Sequence, residues 1–156
     1  MTVETPALAA LVEAGVEHQV VRTERARSVE ESADLQGIEV GALLKSLVVR
    51  RGADDYLLVL VPGDRRIDWP ALRAHLGVSR LSLPDADEAF AATGYERGAI
   101  TPFGARGGWP VIVDAAALEH DTVAIGGGAH GVNVHLAPSD LVDATAADVV
   151  LITEPA

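Results

Sequence analysis

Lys45 is the only lysine in a chain whose other basic residues are all arginine, and it sits inside the apolar run Leu43-Leu44-Lys45-Ser46-Leu47-Val48-Val49. An ammonium is a compact point charge with three donors. A guanidinium is longer, planar and forked, so the two cannot fill one place equivalently. At the mouth of an apolar pocket, the ammonium can hold a phosphate or carbonyl oxygen. The alternative is a lysine that snorkels its charge outward from a sheet edge, and the residue pattern leaves both open. A second candidate is the G-x-x-x-P stretch Gly98-Ala99-Ile100-Thr101-Pro102, which continues to Gly104. Glycine leaves a backbone N–H unshielded and free to adopt conformations closed to other residues. Such amides can be aimed at a developing oxyanion, where each contributes about 3 kcal/mol. A plain glycine turn has the same composition.

Other patterns fail their context tests. Gly126, Gly128 and Gly131 satisfy G-x-G-x-x-G, but a dinucleotide site needs a helix to begin there. The residues that follow, Val132-Asn133-Val134-His135-Leu136, alternate as a strand does. His130 and His135 fall on opposite faces if one strand runs through both. No Cys, Asp or Glu near them completes a ligand set at a recognisable spacing, so no metal is expected. Asn133 and His135 share a polar face opposite Val132, Val134 and Leu136, a face that on a half-buried strand is commonly just solvated. There is no cysteine in the chain, which excludes disulfides, thiolate zinc sites and a cysteine nucleophile. No G-x-S-x-G elbow, P-loop or H-E-x-x-H is present.

The elements that must position these residues are short. Thr5-Pro6 with Leu8, Leu11, Val12 and then Gly15 predicts a capped helix. Residues 16–22 predict a strand, and Ser28 with Glu31 forms a capping-box pattern for a helix ending at Gly37. A short helical turn at 40–44 delivers Lys45 to a strand at 46–51, which forms a hairpin with 56–61. Asp68 and Asp85 predict helices ending before Gly77 and Gly94. Strands follow at 109–113, 122–125 and 132–136, then a short helix at 139–142 and a strand at 149–152. Short strands interleaved irregularly with short helices indicate α+β, with a mixed, curved sheet and packed helices rather than regular βαβ winding.

The length of 156 residues fits one domain. Only six residues are aromatic, so the core must be built of Ala, Val, Leu and Ile. The opening MTVETPALAAL lacks the pattern of a signal peptide, and the longest apolar run, 56–61, is too short to span a bilayer. A cytoplasmic protein with no membrane partner is expected. The formal net charge of −11 argues against a large sequence-independent grip on nucleic acid, while leaving room for a small phosphate-contacting patch. The arginine clusters Arg22/Arg25/Arg27, Arg50/Arg51 and Arg65/Arg66 read individually as solvated surface.

Three features in order suggest a family: the lysine in Leu43–Val49, then Gly94-Tyr95 with the 98–104 stretch, then 126–136 followed by Ala137-Pro138 and Asp140-Leu141. In this the sequence resembles the YbaK family, the free-standing relatives of the editing domain inserted in bacterial prolyl-tRNA synthetases. Ser28-Val29-Glu30-Glu31-Ser32-Ala33 is similar to the segment that precedes the family's lysine. The likeness runs from about residue 16 to 152. The resemblance implies a YbaK-like barrel-like mixed sheet and hydrolysis of the ester joining a wrong amino acid to the 3′ end of a tRNA, with no metal, no cofactor and no covalent nucleophile.

It implies catalytic roles for Lys45 and Gly98, and substrate contacts from Ser28, Val29, Ser46, Thr101, Pro102, Gly126, Gly128, His130, Asn133 and His135. His130 could instead cap its loop. The water would be activated by a ribose hydroxyl beside the ester. The implied partners are the aminoacylated acceptor end of a tRNA, that for proline, and an aminoacyl-tRNA synthetase that supplies grip; DNA is not one. A non-catalytic acceptor-end binding module on the same fold, or a hydrolase of small free esters or amides, would carry the same residues.

Overall fold

The computed structural model describes residues 4–156. Residues 1–3, the start of the segment read as lacking a leader, lie outside the described residues. The order of elements is α1 (Pro6–Glu13), β1 (Gln19–Arg22), α2 (Val29–Gln36), a 3-10 turn (Val40–Ala42), β2 (Leu44–Gly52), β3 (Asp55–Pro62), β4 (Arg65–Ile67), α3 (Trp69–Leu76), α4 (Ala86–Thr93), β5 (Val111–Asp114), β6 (Val123–Gly126), β7 (Val132–Leu136), α5 (Pro138–Thr145), β8 (Asp148–Val150) and β9 (Thr153–Pro155), with further 3-10 turns at Arg106–Gly108 and Ala115–Glu119.

The helix signals act as expected. Thr5, Ser28, Asp68 and Asp85 each accept a backbone N–H from the first turn of their helix, which satisfies donors that a helix start leaves unpaired. Gly37, Gly77 and Gly94 end α2, α3 and α4 in the left-handed region. The capping box at α2 is altered in one respect: Glu31 accepts from the N–H of Arg27 rather than from Ser28. The last helix is longer than 139–142 and stops at Ala146, a non-glycine at φ 53°, so no glycine marks its end.

The strands form three hydrogen-bonded sheets, ordered β1-β7-β6, β2-β3-β5-β8 and β4-β9. The architecture is α+β with mixed pairing, but the strands do not close into the expected barrel. Among the described residues, a parallel bridge between Leu43 and Ala124 ties the first sheet to the second. The β2–β3 hairpin is antiparallel, with Lys45 opposite Val61, whereas β3–β5 and β5–β8 are parallel. Strand β3 is buried on both faces, as a central strand covered on each side must be. One face of the second sheet joins a cluster containing Leu58, Leu60, Val113, Val134 and Leu141. The other packs Leu57, Val59 and Val61 against Leu72 of α3 and Ile152.

Candidate active site

At the corner where the Leu43–Ala124 bridge joins two sheets, a cleft of about 440 Å³ opens. Its walls come from the segment between β1 and α2, the half-buried side of α2, the start of β2, the loop after α4, and the β6–β7 connection. Val29 fixes the α2 wall: Gly63, in the turn after β3, leaves space that a Cβ would take, lying 2.7 Å from Val29 Cγ1. On the other side, Gly131 at φ 79° brings its backbone so close to Thr23 that a Cβ would sit 2.4 Å from the Thr23 carbonyl oxygen. The Thr23 N–H donates to the Gly131 carbonyl at 2.9 Å, so the β6–β7 connection and the start of the β1–α2 segment are joined along one wall.

Lys45 is the second residue of β2, half-buried, and lines this cleft. Its Nζ donates to the Arg65 carbonyl at 3.5 Å, a length at which a hydrogen bond is weak. No carboxylate of the described residues pairs with it. The ammonium is therefore loosely held and has donors to give to a ligand. Ser46, next to it, also lines the cleft, and its buried Oγ has no partner among the described residues.

Gly98 is exposed at the cleft with φ 90°. Among the described residues its N–H meets no acceptor, whereas the N–H of Ala99 is used on the Glu96 carbonyl at 2.9 Å. The expected row of oxyanion donors thus loses Ala99, while Gly98 remains open at the cleft. A Cβ at Gly98 would lie 3.3 Å from His130 Cε1. The ring of His130 lines the cleft and meets Glu96 Oε2 at 3.2 Å through Nε2, which joins the 96–98 loop to the β6–β7 connection. Gly126 backs the same junction; a Cβ there would be 2.9 Å from the Ile100 carbonyl oxygen.

Of the expected residues, Ser28, Val29, Lys45, Ser46, Gly98, Gly126, His130 and Asn133 line one cleft. The amide of Asn133 donates to the Val21 carbonyl at 3.1 Å and to Thr23 Oγ1 at 3.4 Å, so its nitrogen is committed to the β1 wall. Four expected residues do not line the cleft. Thr101 is fully buried, with no partner for its Oγ1 among the described residues, and Pro102 beside it is not part of the lining. Gly128 packs beneath Tyr95 and Thr5. His135 shares a face with Asn133 but lies under α2, where its Nε2 meets Gln36 Oε1 at 2.9 Å. Burial holds its pKa below the ordinary 6.5.

The cleft also contains residues that the sequence reading treated as surface or passed over. Arg25, Arg27 and Arg97 line it, as do Glu24, Ser32 and Gln36. The signal for Arg25 and Arg27 was present, since both lie just before the Ser28 cap, but a cluster of arginines gives no direction by itself. Among the described residues, no group of three or more His, Cys, Asp or Glu side chains converges as metal ligands would. No helix among them is long and apolar enough to cross a membrane.

Comparison with known proteins gives a consistent set of relatives. The sequence pattern of the family described as Aminoacyl-tRNA editing domain matches residues 23–144. The multifunctional Ser/Thr-tRNA deacylase ProXp-y of Escherichia coli (strain K12) is 28% identical over 137 residues, spanning 85% of this chain and 82% of that protein. A proline–tRNA ligase of Thermosipho melanesiensis is 35% identical over 88 residues, which cover 56% of this chain and only 15% of the ligase. A solved structure described as a candidate trans-editing enzyme for prolyl tRNA synthetase superposes with TM-score 0.88 at 28% identity, covering 98% of this chain and 99% of that one.

Proposed function

Because this chain belongs to the aminoacyl-tRNA editing domain family, we propose that residues 1–156 act as one editing unit that hydrolyses the ester of a mischarged tRNA in trans, in the cytoplasm. The observation that carries the reading is the meeting of a loosely held ammonium, Lys45, and an unused, exposed N–H, Gly98, in one cleft. Hydrolysis of an aminoacyl ester needs a water at the carbonyl carbon, donors for the oxyanion and a held ribose. Water adds to the carbonyl carbon, the bond to the ribose oxygen breaks, and the proton from water ends on that oxygen.

In this reading Gly98 N–H faces the developing oxyanion, and Lys45 holds an oxygen of the terminal nucleotide or of the ester. His130, braced by Glu96, keeps the Gly98 loop against the β6–β7 connection. Within the cleft, Glu24 is exposed and His130 is already engaged with Glu96. The ribose hydroxyl beside the ester, which the family resemblance implies, is the group proposed to orient the water. The reaction proposed uses no metal. A cleft of 440 Å³ that must admit the terminal nucleoside leaves room for a small amino acid, and size selection of this kind discriminates by about 1–3 kcal/mol per methylene. Similarity to the structure described as a trans-editing enzyme for prolyl tRNA synthetase supports tRNA for proline as the carrier and a synthetase as a partner.

The test is release of amino acid from alanyl-, seryl- and cysteinyl-tRNA for proline, run with and without a metal chelator. At least one substrate should be deacylated at the same rate in both conditions. Lys45→Ala should lose activity by about two orders of magnitude or more while keeping its circular dichroism spectrum. A fully active Lys45→Ala would remove the proposed role. Binding of these tRNAs without turnover would favour the acceptor-end module instead.

A further inference from the structure

The lining of the cleft inverts the charge balance of the chain. The whole sequence has 12 Lys and Arg against 23 Asp and Glu. The cleft is lined by four cations, Arg25, Arg27, Lys45 and Arg97, and by one carboxylate, Glu24. On a protein this acidic, a locally cationic opening is where an anion is drawn, because the surrounding surface repels it.

The four cations divide by type and exposure. Lys45 is half-buried on β2, whereas Arg25, Arg27 and Arg97 are exposed residues of two loops, the β1–α2 segment and the loop after α4. Arg25 makes no ion pair or side-chain hydrogen bond among the described residues. Arg27 meets Glu31 at 3.5 Å with its own side chain 90% exposed, a geometry that holds little energy. Arg97 donates to the Pro84 carbonyl at 3.4 Å, which leaves its other guanidinium nitrogens free. Of the neighbouring carboxylates, Glu31 is the weak partner of Arg27, Glu96 is held by His130, and only Glu24 stands on the lining itself. None of them fully neutralises the three guanidiniums.

We infer that Arg25, Arg27 and Arg97 form a phosphate-binding rim that holds the backbone of the single-stranded RNA leading to the ester. This rests on the deacylase reading, which places the ester at Lys45 and Gly98. An RNA strand whose 3′ terminus enters the cleft must leave across the rim, with one phosphate for each nucleotide along the way. Guanidinium is the group suited to that contact, since its fork matches two phosphate oxygens at once. The division explains the residue choice: a point charge near the reacting ester, forked cations where the strand exits. It also reconciles a net charge of −11 with an RNA substrate, because the attraction is confined to the terminal nucleotides.

The experiment uses Arg25→Gln/Arg97→Gln and the charge-retaining Arg25→Lys/Arg97→Lys, both in the full chain. Binding of a fluorescently labelled single-stranded RNA trinucleotide is measured by anisotropy across salt, beside deacylation of misacylated tRNA and of a 3′-aminoacyl-adenosine that has no phosphate. The Gln pair should weaken trinucleotide binding about tenfold or more and reduce the slope of log affinity against log salt by roughly 1.4, two contacts at roughly 0.7 each. On tRNA it should raise KM with kcat within about twofold, while its rate on the phosphate-free ester stays close to that of the wild type. The Lys pair should recover most of the binding. Unchanged trinucleotide binding in the Gln pair, or an equal loss on both ester substrates, would overturn the inference. Failure of the wild type to hydrolyse any ester would count against the deacylase reading instead, and trinucleotide binding would still decide the rim.

Discussion

Two residues on one face of β7 show what alternation can and cannot tell. Asn133 and His135 both point away from the core positions Val132, Val134 and Leu136, as their spacing requires. Yet Asn133 lines the cleft and His135 does not, because α2 crosses over the latter and supplies Gln36. Parity fixes a face and not its cover. His135 is consequently a half-buried group whose folded-state pKa lies below the ordinary 6.5, for reasons of desolvation. Below that pH the unfolded chain binds a proton that the folded chain resists, so stability is lost as pH falls from 6.5 through the folded value. Thermal unfolding between pH 7.5 and 5 should show a decline that is smaller in His135→Gln; identical declines would mean that His135 does not contribute. Lys45 was legible because composition singled it out, and Gly98 because a glycine before x-x-x-Pro implies unusual backbone. Arg97 was not, since nothing local distinguishes a cleft arginine from a surface one.

At the level of elements, the residues that start and stop helices were readable in sequence, since capping is a contact within a few residues: Thr5, Ser28, Asp68 and Asp85 were all identified by type and offset. The β2–β3 hairpin was readable for the same reason. Pairings between distant segments were not. Strands β4 and β9 are three residues each and meet as Arg65–Pro155, Arg66–Glu154 and Ile67–Thr153, too short for a periodic signal. Asp114 is the clearest case of a hidden cap. It is fully buried at the end of β5, where Oδ2 accepts from Ala116 N–H at 3.1 Å and Oδ1 from Ile152 N–H at 3.0 Å. One carboxylate thus starts the 3-10 turn and anchors the chain between β8 and β9. Asp114→Ala leaves one buried and one part-buried donor unpaired and should cost about 2 kcal/mol, read as a lower urea midpoint with little change in slope. A loss below about 1 kcal/mol would show that neither bond matters to the fold.

For the molecule as a whole, the governing quantity is the surplus of negative charge, and it makes salt act in opposite directions on fold and substrate. Four arginine–carboxylate pairs among the described residues engage Glu31, Glu88, Asp55 and Glu154, a small part of the 23 acidic residues in the sequence. The remainder repel one another, a cost of compactness. That repulsion reaches about 30 Å at 0.01 M ionic strength and about 8 Å at 0.15 M. Added salt should therefore raise the melting temperature over this range, because it screens more repulsion than it weakens exposed pairs, each of which holds about 1 kcal/mol or less. The same salt should raise KM for a misacylated tRNA by weakening the guanidinium–phosphate contacts at the cleft. The two effects separate by site: the Arg25→Gln/Arg97→Gln protein should keep the salt-dependent gain in melting temperature and lose much of the salt-dependent rise in KM. Melting curves at 0.01 and 0.15 M sodium chloride, paired with deacylation kinetics in the same buffers, provide both readings. A melting temperature that fell with salt would mean that the surface pairs outweigh the repulsion, and the charge surplus would then have no role in limiting the grip on RNA to the cleft.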